Sequence, residues 1–248
     1  MKKAIPAVLC IISLVIGAVS GYIYYSELRR EECEITAANK VNSYTTVASV
    51  KKSYDFDTVE KEYFDDALFI GDSRTVGLQK YSELQNADYF AQVGLTVYRA
   101  FNVSVSNGYS YRTLLDTLKS GNYGKVYIMF GVNEITAELE TSAAEYCKLL
   151  KTVRKYQPDA LIFIEANLHV GKNRSDSWEY YSNERLDEYN NLLSINADNK
   201  SIFYIDINEV YDDSEGNLAA EYTADDLHLN ADCYNLWTDY LMTHAINR

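Results

Sequence analysis

The chain has 248 residues, of which 47% are apolar and only two are proline, a composition that suits one well-packed domain with an appendage. A formal charge of −13 argues against nucleic acid as a partner, because phosphate binding needs a basic surface. The same charge disfavours docking on an anionic lipid surface.

An uncharged apolar segment, residues 4–25, follows two lysines at the amino end. As a helix it would span about 33 Å, enough to cross a hydrocarbon core of about 30 Å. Ala18 and Ser20 fit a signal-peptide cleavage site, whereas the tyrosines that end the segment suit a membrane interface. We therefore expect residues 1–25 to be a signal anchor with the following chain outside the cytoplasm. Cleavage after Ser20 would instead produce a secreted protein.

Residues 26–61 are polar and show no sustained apolar period, so they are predicted to form a stalk before a globular domain at residues 62–248. The four cysteines show no CxxC spacing, which argues against a zinc site or a disulfide framework. Neither a P-loop, nor GxGxxG, nor the spacing of a calcium loop occurs. No metal or cofactor is therefore expected.

The first strand of the globular domain is predicted at residues 67–70, a continuous apolar run typical of a strand buried on both faces. Gly71 then permits a backbone conformation that a Cβ would resist. Ser73 follows near the start of a predicted helix, where free N–H groups point outward and can stabilise an oxyanion. Ser73 is thus a candidate nucleophile, although Gly-Asp-Ser alone could equally be an ordinary turn.

Further strand and helix signals alternate along the chain. The predicted strands cover residues 87–92, 125–130, 160–165 and 201–205, and the predicted helices cover residues 111–119, 141–156, 178–196 and 231–246. This alternation predicts a parallel sheet with helices on both faces, a three-layer α/β/α sandwich. In such folds functional groups gather at the carboxyl ends of the strands.

Three candidate residues follow successive strand ends. Ser73 follows the first strand, Gly94 the second and Asn133 the third, so all three can meet at one edge of the sheet. Alone, Gly94 could be a turn glycine and Asn133 a helix cap. Together, the N–H groups of Ser73 and Gly94 and the amide of Asn133 could form an oxyanion hole.

Asp225 and His228 lie three residues apart, and a turn can place their side chains side by side. A nucleophilic serine needs a base to take its proton and a group to orient that base. We predict His228 as the base and Asp225 as its orienter, in preference to Asp226. His169 follows the fourth strand at the same edge; it could touch substrate, but a loop histidine is more often solvated.

Four short blocks, taken in this order, resemble the marker blocks of the SGNH (GDSL-type) hydrolases over roughly residues 63–245: Gly71-Asp72-Ser73, Gly94, Gly131-Val132-Asn133-Glu134 and Asp225-Asp226-Leu227-His228. The resemblance implies a flavodoxin-like order for the five strands. The family more often has Leu after the serine and Asp after the asparagine, where this chain has Arg74 and Glu134.

The resemblance also implies a serine esterase that works through an acyl-serine. Its relatives suggest removal of acyl, often acetyl, groups from envelope or environmental carbohydrates, so the expected partner is an acylated glycan or small molecule. Two alternatives stay open. One is an O-acyltransferase, in which a sugar hydroxyl outcompetes water at the acyl-serine. The other is a non-catalytic module that binds glycans or scaffolds the envelope.

Overall fold

The computed structural model describes residues 55–106 and 108–247. The expected membrane segment and most of the expected stalk lie outside these residues. Within the described ranges, no helix is both long enough and apolar enough to cross a membrane.

Seven strands lie within the described ranges: β1 (Ala67–Gly71), β2 (Asp88–Ala91), β3 (Ser104–Ser106), β4 (Tyr111–Thr113), β5 (Lys125–Met129), β6 (Leu161–Glu165) and β7 (Ile202–Ile205). Five of them form one parallel sheet in the order β2-β1-β5-β6-β7, while β3 and β4 form an antiparallel hairpin. The predicted five-stranded parallel sheet and its flavodoxin-like strand order are confirmed.

Seven α-helices lie in the same part of the chain: α1 (Ser73–Tyr81), α2 (Leu114–Ser120), α3 (Leu139–Tyr156), α4 (Lys172–Ser177), α5 (Asn183–Ser194), α6 (Asn208–Tyr211) and α7 (Tyr234–Thr243). Helices α2, α3 and α5 bury their apolar residues in one core on one face of the sheet. Helices α1, α6 and α7 contribute to a second core on the other face. The three-layer sandwich therefore follows from side chains that alternate between the two faces of each strand.

A row of aromatic rings crosses the second face of the sheet, one from each parallel strand. In spatial order the rings belong to Tyr89, Phe69, Tyr127, Phe163 and Phe203, which are direct partners in the strand register. Neighbouring ring centroids lie between 4.5 and 5.6 Å apart. The row favours this register, because a slip of one residue would turn a ring to the opposite face.

The first described residues pack against the carboxyl end of the chain. The N–H of Asp57 donates to the carbonyl of Ala245 at 2.8 Å, and the N–H of Val59 donates to that of Met242 at 2.9 Å. The chain thus contacts the domain before the predicted boundary at residue 62.

Two predicted helices begin later than the sequence indicates. Residues 111–113 form β4, and α2 begins only after Thr113, whose Oγ1 accepts from the N–H of Asp116 at 3.1 Å. Helix α5 begins after Ser182, whose Oγ accepts from the N–H of Arg185 at 3.4 Å. In both helices a hydroxyl cap, and not the apolar pattern, sets the residue at which the helix begins.

The last helix is also shorter than predicted. Helix α7 covers Tyr234–Thr243 and is preceded by a 3₁₀ turn at Ala231–Cys233. The β3–β4 hairpin, α4 and α6 have no signal in the sequence pattern, because segments this short do not repeat an apolar period.

Candidate active site

The three candidate residues at the strand ends lie on neighbouring loops. Ser73 begins α1 just after β1, Gly94 lies beyond β2, and Asn133 lies beyond β5. Strands β2, β1 and β5 are adjacent in the sheet, so their carboxyl ends meet at one edge. The loops that carry these residues therefore adjoin, as the sequence predicts.

The side chains of Ser73, His228 and Asp225 form a hydrogen-bonded row. Ser73 Oγ lies 3.0 Å from His228 Nε2, and His228 Nδ1 lies 2.8 Å from Asp225 Oδ2. In this arrangement the imidazole can accept the proton of the serine hydroxyl while the carboxylate holds its other nitrogen.

The loop around Asp225 explains why this aspartate faces the imidazole. Asp225 Oδ1 accepts the N–H groups of Leu227 and His228, at 3.0 and 2.7 Å, which leaves Oδ2 for the ring. Burial by itself would raise the pKa of Asp225. Hydrogen bonds from the side chain and backbone of His228 and from the backbone of Leu227 outweigh this effect and hold the pKa of Asp225 well below its usual range. Asp226 has a φ of +57° and lies with Oδ2 3.3 Å from Asn173 Nδ2. Asp225, and not Asp226, is therefore the carboxylate that contacts the imidazole of His228.

The turn before Ser73 depends on close packing. A Cβ on Gly71 would lie 2.0 Å from Thr75 Oγ1 and 2.7 Å from the carbonyl oxygen of Met129. Gly71 has no positive φ, so steric exclusion replaces the expected special backbone conformation. Asp72 caps α1 by accepting the N–H of Arg74 at 2.9 Å. The N–H of Ser73 lies in the first helical turn, where it has no partner within the helix.

The remaining candidate oxyanion donors lie beside this turn. Gly94 has a φ of +69°, a conformation that favours glycine. Asn133 Nδ2 lies 3.1 Å from the carbonyl oxygen of Leu95 and 3.3 Å from Asp72 Oδ2. The amide thus joins the Gly94 loop to the cap of α1. To donate to an oxyanion, the Asn133 amide would give up its hydrogen bond to Asp72 Oδ2.

A model of the GDSL-like lipase/acylhydrolase family matches residues 69–236. The chain belongs to this family. Its membership makes the protein a serine ester hydrolase.

Solved structures share the fold at low sequence identity. A GDSL-like lipase from Bacteroides thetaiotaomicron is 12% identical with a TM-score of 0.55; the match covers 82% of this chain and 95% of that one. A candidate acylhydrolase from Bacteroides fragilis is 14% identical with a TM-score of 0.55, and the match covers 75% of this chain and 88% of that one. No curated protein sequence matches the chain.

In this GDSL-like hydrolase, Glu134 holds the Gly94 loop in place. Its side chain is buried, and its carboxylate accepts the N–H of Val97. Burial, helped by the charge of Asp72 and opposed by the hydrogen bond from Val97, raises the pKa of Glu134 to about 8. No local sequence pattern predicts this role for Glu134, because its burial depends on the separate loop that carries Val97.

Arg74 ties three parts of the hydrolase together. Its guanidinium is 1% exposed and donates to the main-chain carbonyls of Leu168, His169 and Leu227, at 2.6, 3.2 and 3.2 Å. Burial lowers the pKa of Arg74 and raises that of Asp72, while the charge of each opposes the shift of the other. Since Leu227 directly precedes the candidate base, Arg74 links the start of α1 to the base loop.

His169 is buried between two carboxylates. Its Nδ1 lies 2.8 Å from Asp212 Oδ2, and its Nε2 lies 3.1 Å from Asp187 Oδ1. Burial lowers the pKa of His169, but the hydrogen bonds and charges of both aspartates raise it overall to about 9. The expectation of a solvated loop histidine is therefore wrong: both ring nitrogens are engaged in an ion cluster.

Replacing Arg74 with Leu, the residue more usual in the family, should destabilise the protein by about 3–5 kcal/mol. The change would leave three carbonyls without their donor and the buried Asp72 without its neighbouring positive charge. Urea unfolding measures the loss. The exposed Arg99 provides the control, since Arg99→Leu should cost about 0.5 kcal/mol or less. Equal stability of the two variants would contradict this assignment.

Glu134 should make stability fall as pH rises from about 4.5 to 8. Its ordinary pKa of 4.5 rises to about 8 in the folded state, which therefore keeps a proton that the unfolded chain releases across this window. The Glu134→Gln variant cannot ionise at this position, so its free energy of unfolding should fall less steeply with pH than that of the wild type. The two slopes should differ by at most about 1.4 kcal/mol per pH unit. Urea unfolding at pH 5 to 8 tests this. The exposed Glu138→Gln is the control; a slope for Glu134→Gln equal to that of the wild type would refute the prediction.

Proposed function

We propose that this protein is an exported esterase that removes acyl groups, acetyl above all, from carbohydrates, such as those of the cell envelope, through an acyl-serine intermediate. The row from Ser73 Oγ through His228 to Asp225 Oδ2, with links of 3.0 and 2.8 Å, carries the proposal. It supplies a nucleophile, a base and an orienting carboxylate at the edge of a parallel sheet.

In the first step, Ser73 Oγ forms a bond to the ester carbonyl carbon while His228 Nε2 takes the hydroxyl proton. The carbonyl oxygen becomes an oxyanion, which the N–H groups of Ser73 and Gly94 and the amide of Asn133 stabilise. Asp225 stabilises the imidazolium that forms.

In the second step, His228 gives the proton to the departing alcohol oxygen as the ester C–O bond breaks and the acyl-serine remains. Water then attacks the acyl carbon, with His228 again taking a proton. The oxyanion forms once more and collapses as the bond to Ser73 Oγ breaks and His228 returns its proton to that oxygen, which releases the free acid and restores the enzyme.

Two observations support the proposed substrate. Gly94 and Asn133, which flank the nucleophile turn, are exposed and provide no apolar side chain, and this suits a short acyl group better than a long apolar one. Trp178 and Tyr180 expose about half of their surfaces on the segment next to the Asp225 loop. Exposed aromatic faces suit the apolar face of a sugar ring.

The proposed export rests on the sequence. The uncharged segment at residues 4–25 is long enough to span a bilayer, and it ends in tyrosines suited to an interface. Anchoring by residues 1–25 would place the catalytic domain outside the cytoplasm.

Ser73→Ala should abolish both esterase activity on p-nitrophenyl acetate and labelling by a fluorophosphonate probe, with an unchanged circular dichroism spectrum.

Asp225→Asn should lower kcat by about 10²–10⁴, because the imidazole loses its fixed tautomer and its cation loses a counter-charge. Asp226→Asn is the matched control and should keep most of the rate. Labelling that survives Ser73→Ala, or a crippled Asp226→Asn beside an active Asp225→Asn, would sink the assignment.

The full-length chain should sediment with membranes after cell lysis and resist extraction by high salt, because residues 4–25 would lie in the bilayer. Deleting residues 1–25 should move the protein to the soluble fraction. Sequencing of the mature amino terminus provides the second check: a chain that begins at Gly21 would show that the protein is secreted.

A further inference from the structure

Three neighbouring aromatic residues, Trp178, Tyr180 and Tyr181, form what we call the aromatic rim. Trp178 is 53% exposed and Tyr180 is 54% exposed. The rings of Trp178 and Tyr181 stack with centroids 6.1 Å apart and planes 7° apart. Large aromatic surfaces held in a fixed arrangement and open to solvent are typical of binding sites.

The segment that carries the rim contacts the Asp225 loop directly. The N–H of Gly171 donates to the carbonyl of Asp226 at 2.9 Å, and Arg174 Nη2 donates to the carbonyl of Asp225 at 3.3 Å. The guanidinium of Arg174 also lies 5.5 Å from the ring centre of Tyr181. Arg174 therefore connects the backbone of the proposed catalytic aspartate to the stacked rings.

A second arginine, Arg185, also contacts the rim. Arg185 Nε donates to the carbonyl of Ile135 and Nη2 to that of Ala137, both at 2.9 Å. Its guanidinium lies 5.8 Å from the ring centre of Tyr180. Because Ile135 follows Asn133 by two residues, the rim segment joins the loop of the candidate oxyanion donor to the loop of Asp225.

A polar depression of about 530 Å³ adjoins Tyr180. Apart from this ring it is lined by polar side chains, including Asp176, Glu179, Glu184 and Arg185. A pyranose ring has an apolar C–H face and an edge of hydroxyl groups, so it matches an aromatic face beside carboxylate acceptors. A long acyl chain would meet only the Tyr180 ring and the carbon atoms of polar side chains there, and the carboxylates would disfavour an anionic headgroup.

We propose that the aromatic rim and this depression bind a sugar ring next to the one that carries the ester. The inference rests on the proposed esterase function and adds a substrate class, acylated oligosaccharides and polysaccharides in preference to esters of single sugars or simple alcohols. Arg174 and Arg185 position the rim, and Trp178 contacts the sugar.

The chain contains two tryptophans, and the second, Trp237, is fully buried. In the full-length Ser73→Ala variant, which removes the nucleophile, titration with xylohexaose, cellohexaose or chitohexaose should change tryptophan emission. At least one of these sugars should also protect the exposed Trp178 from acrylamide quenching. If none of the three binds, the proposal is wrong.

Calorimetry in the same Ser73→Ala background shows whether the Trp178 ring contributes to sugar binding or only to the folded structure. Trp178→Ala should weaken binding of the hexasaccharide at least tenfold, while Trp178→Phe, which keeps an aromatic face, should weaken it less than threefold. Tyr81→Ala is the matched control, because Tyr81 is 43% exposed but lies at the far end of α1. It should change the dissociation constant less than twofold; equal losses for Tyr81→Ala and Trp178→Ala would overturn the proposal.

Kinetics of the active enzyme distinguish failure of this inference from failure of the proposed function. Trp178→Ala should raise KM for an acetylated hexasaccharide at least fivefold more than KM for p-nitrophenyl acetate. An active wild type with no such difference would overturn the subsite alone, and a difference confined to p-nitrophenyl palmitate would assign the rim to an acyl chain. Absence of any esterase activity in the wild type would overturn the proposed function itself.

Discussion

The site depends most on the hydrogen bonds that the guanidinium of Arg74 donates to main-chain carbonyls. Ser73 and His228 are 155 residues apart, and the loop that carries His228 does not follow a strand of the parallel sheet. The sheet alone therefore cannot bring the two side chains together. Arg74 does so by donating to the carbonyl of Leu227 from the first turn of α1. Buried carbonyls and Asp72 compensate a positive charge that would otherwise be costly in the interior.

Buried carboxyl groups hold the other half of the site. Asp72 caps α1 and contacts the Asn133 amide, while Glu134 accepts the N–H of Val97 in the loop that follows Gly94. These groups arrange the candidate oxyanion donors before any substrate arrives, which is the condition for strong electrostatic stabilisation. Their burial opposes ionisation, so the same contacts that order the loop make its stability depend on pH.

The site is correspondingly open on its outer side. The side chains of Asp225 and His228 are 52% and 40% exposed, and the aromatic rim stands beside the Asp225 loop. In the proposed function, chemistry and recognition are separated: buried polar groups arrange the reacting atoms, and exposed rings are available for the alcohol part of the ester. A substrate that is itself large and polar fits such an open edge better than one that must be enclosed.

The sequence by itself determined the sheet and the set of candidate residues. Continuous apolar runs such as residues 67–70 predict buried parallel strands, and markers that follow successive strand ends must meet at one edge. Only the tertiary structure decided the roles of Arg74, Glu134 and His169, all of which are buried although a sequence suggests that charged residues are exposed. The physical reason is that burying an ionisable group requires partners from distant parts of the chain, and no local pattern records them.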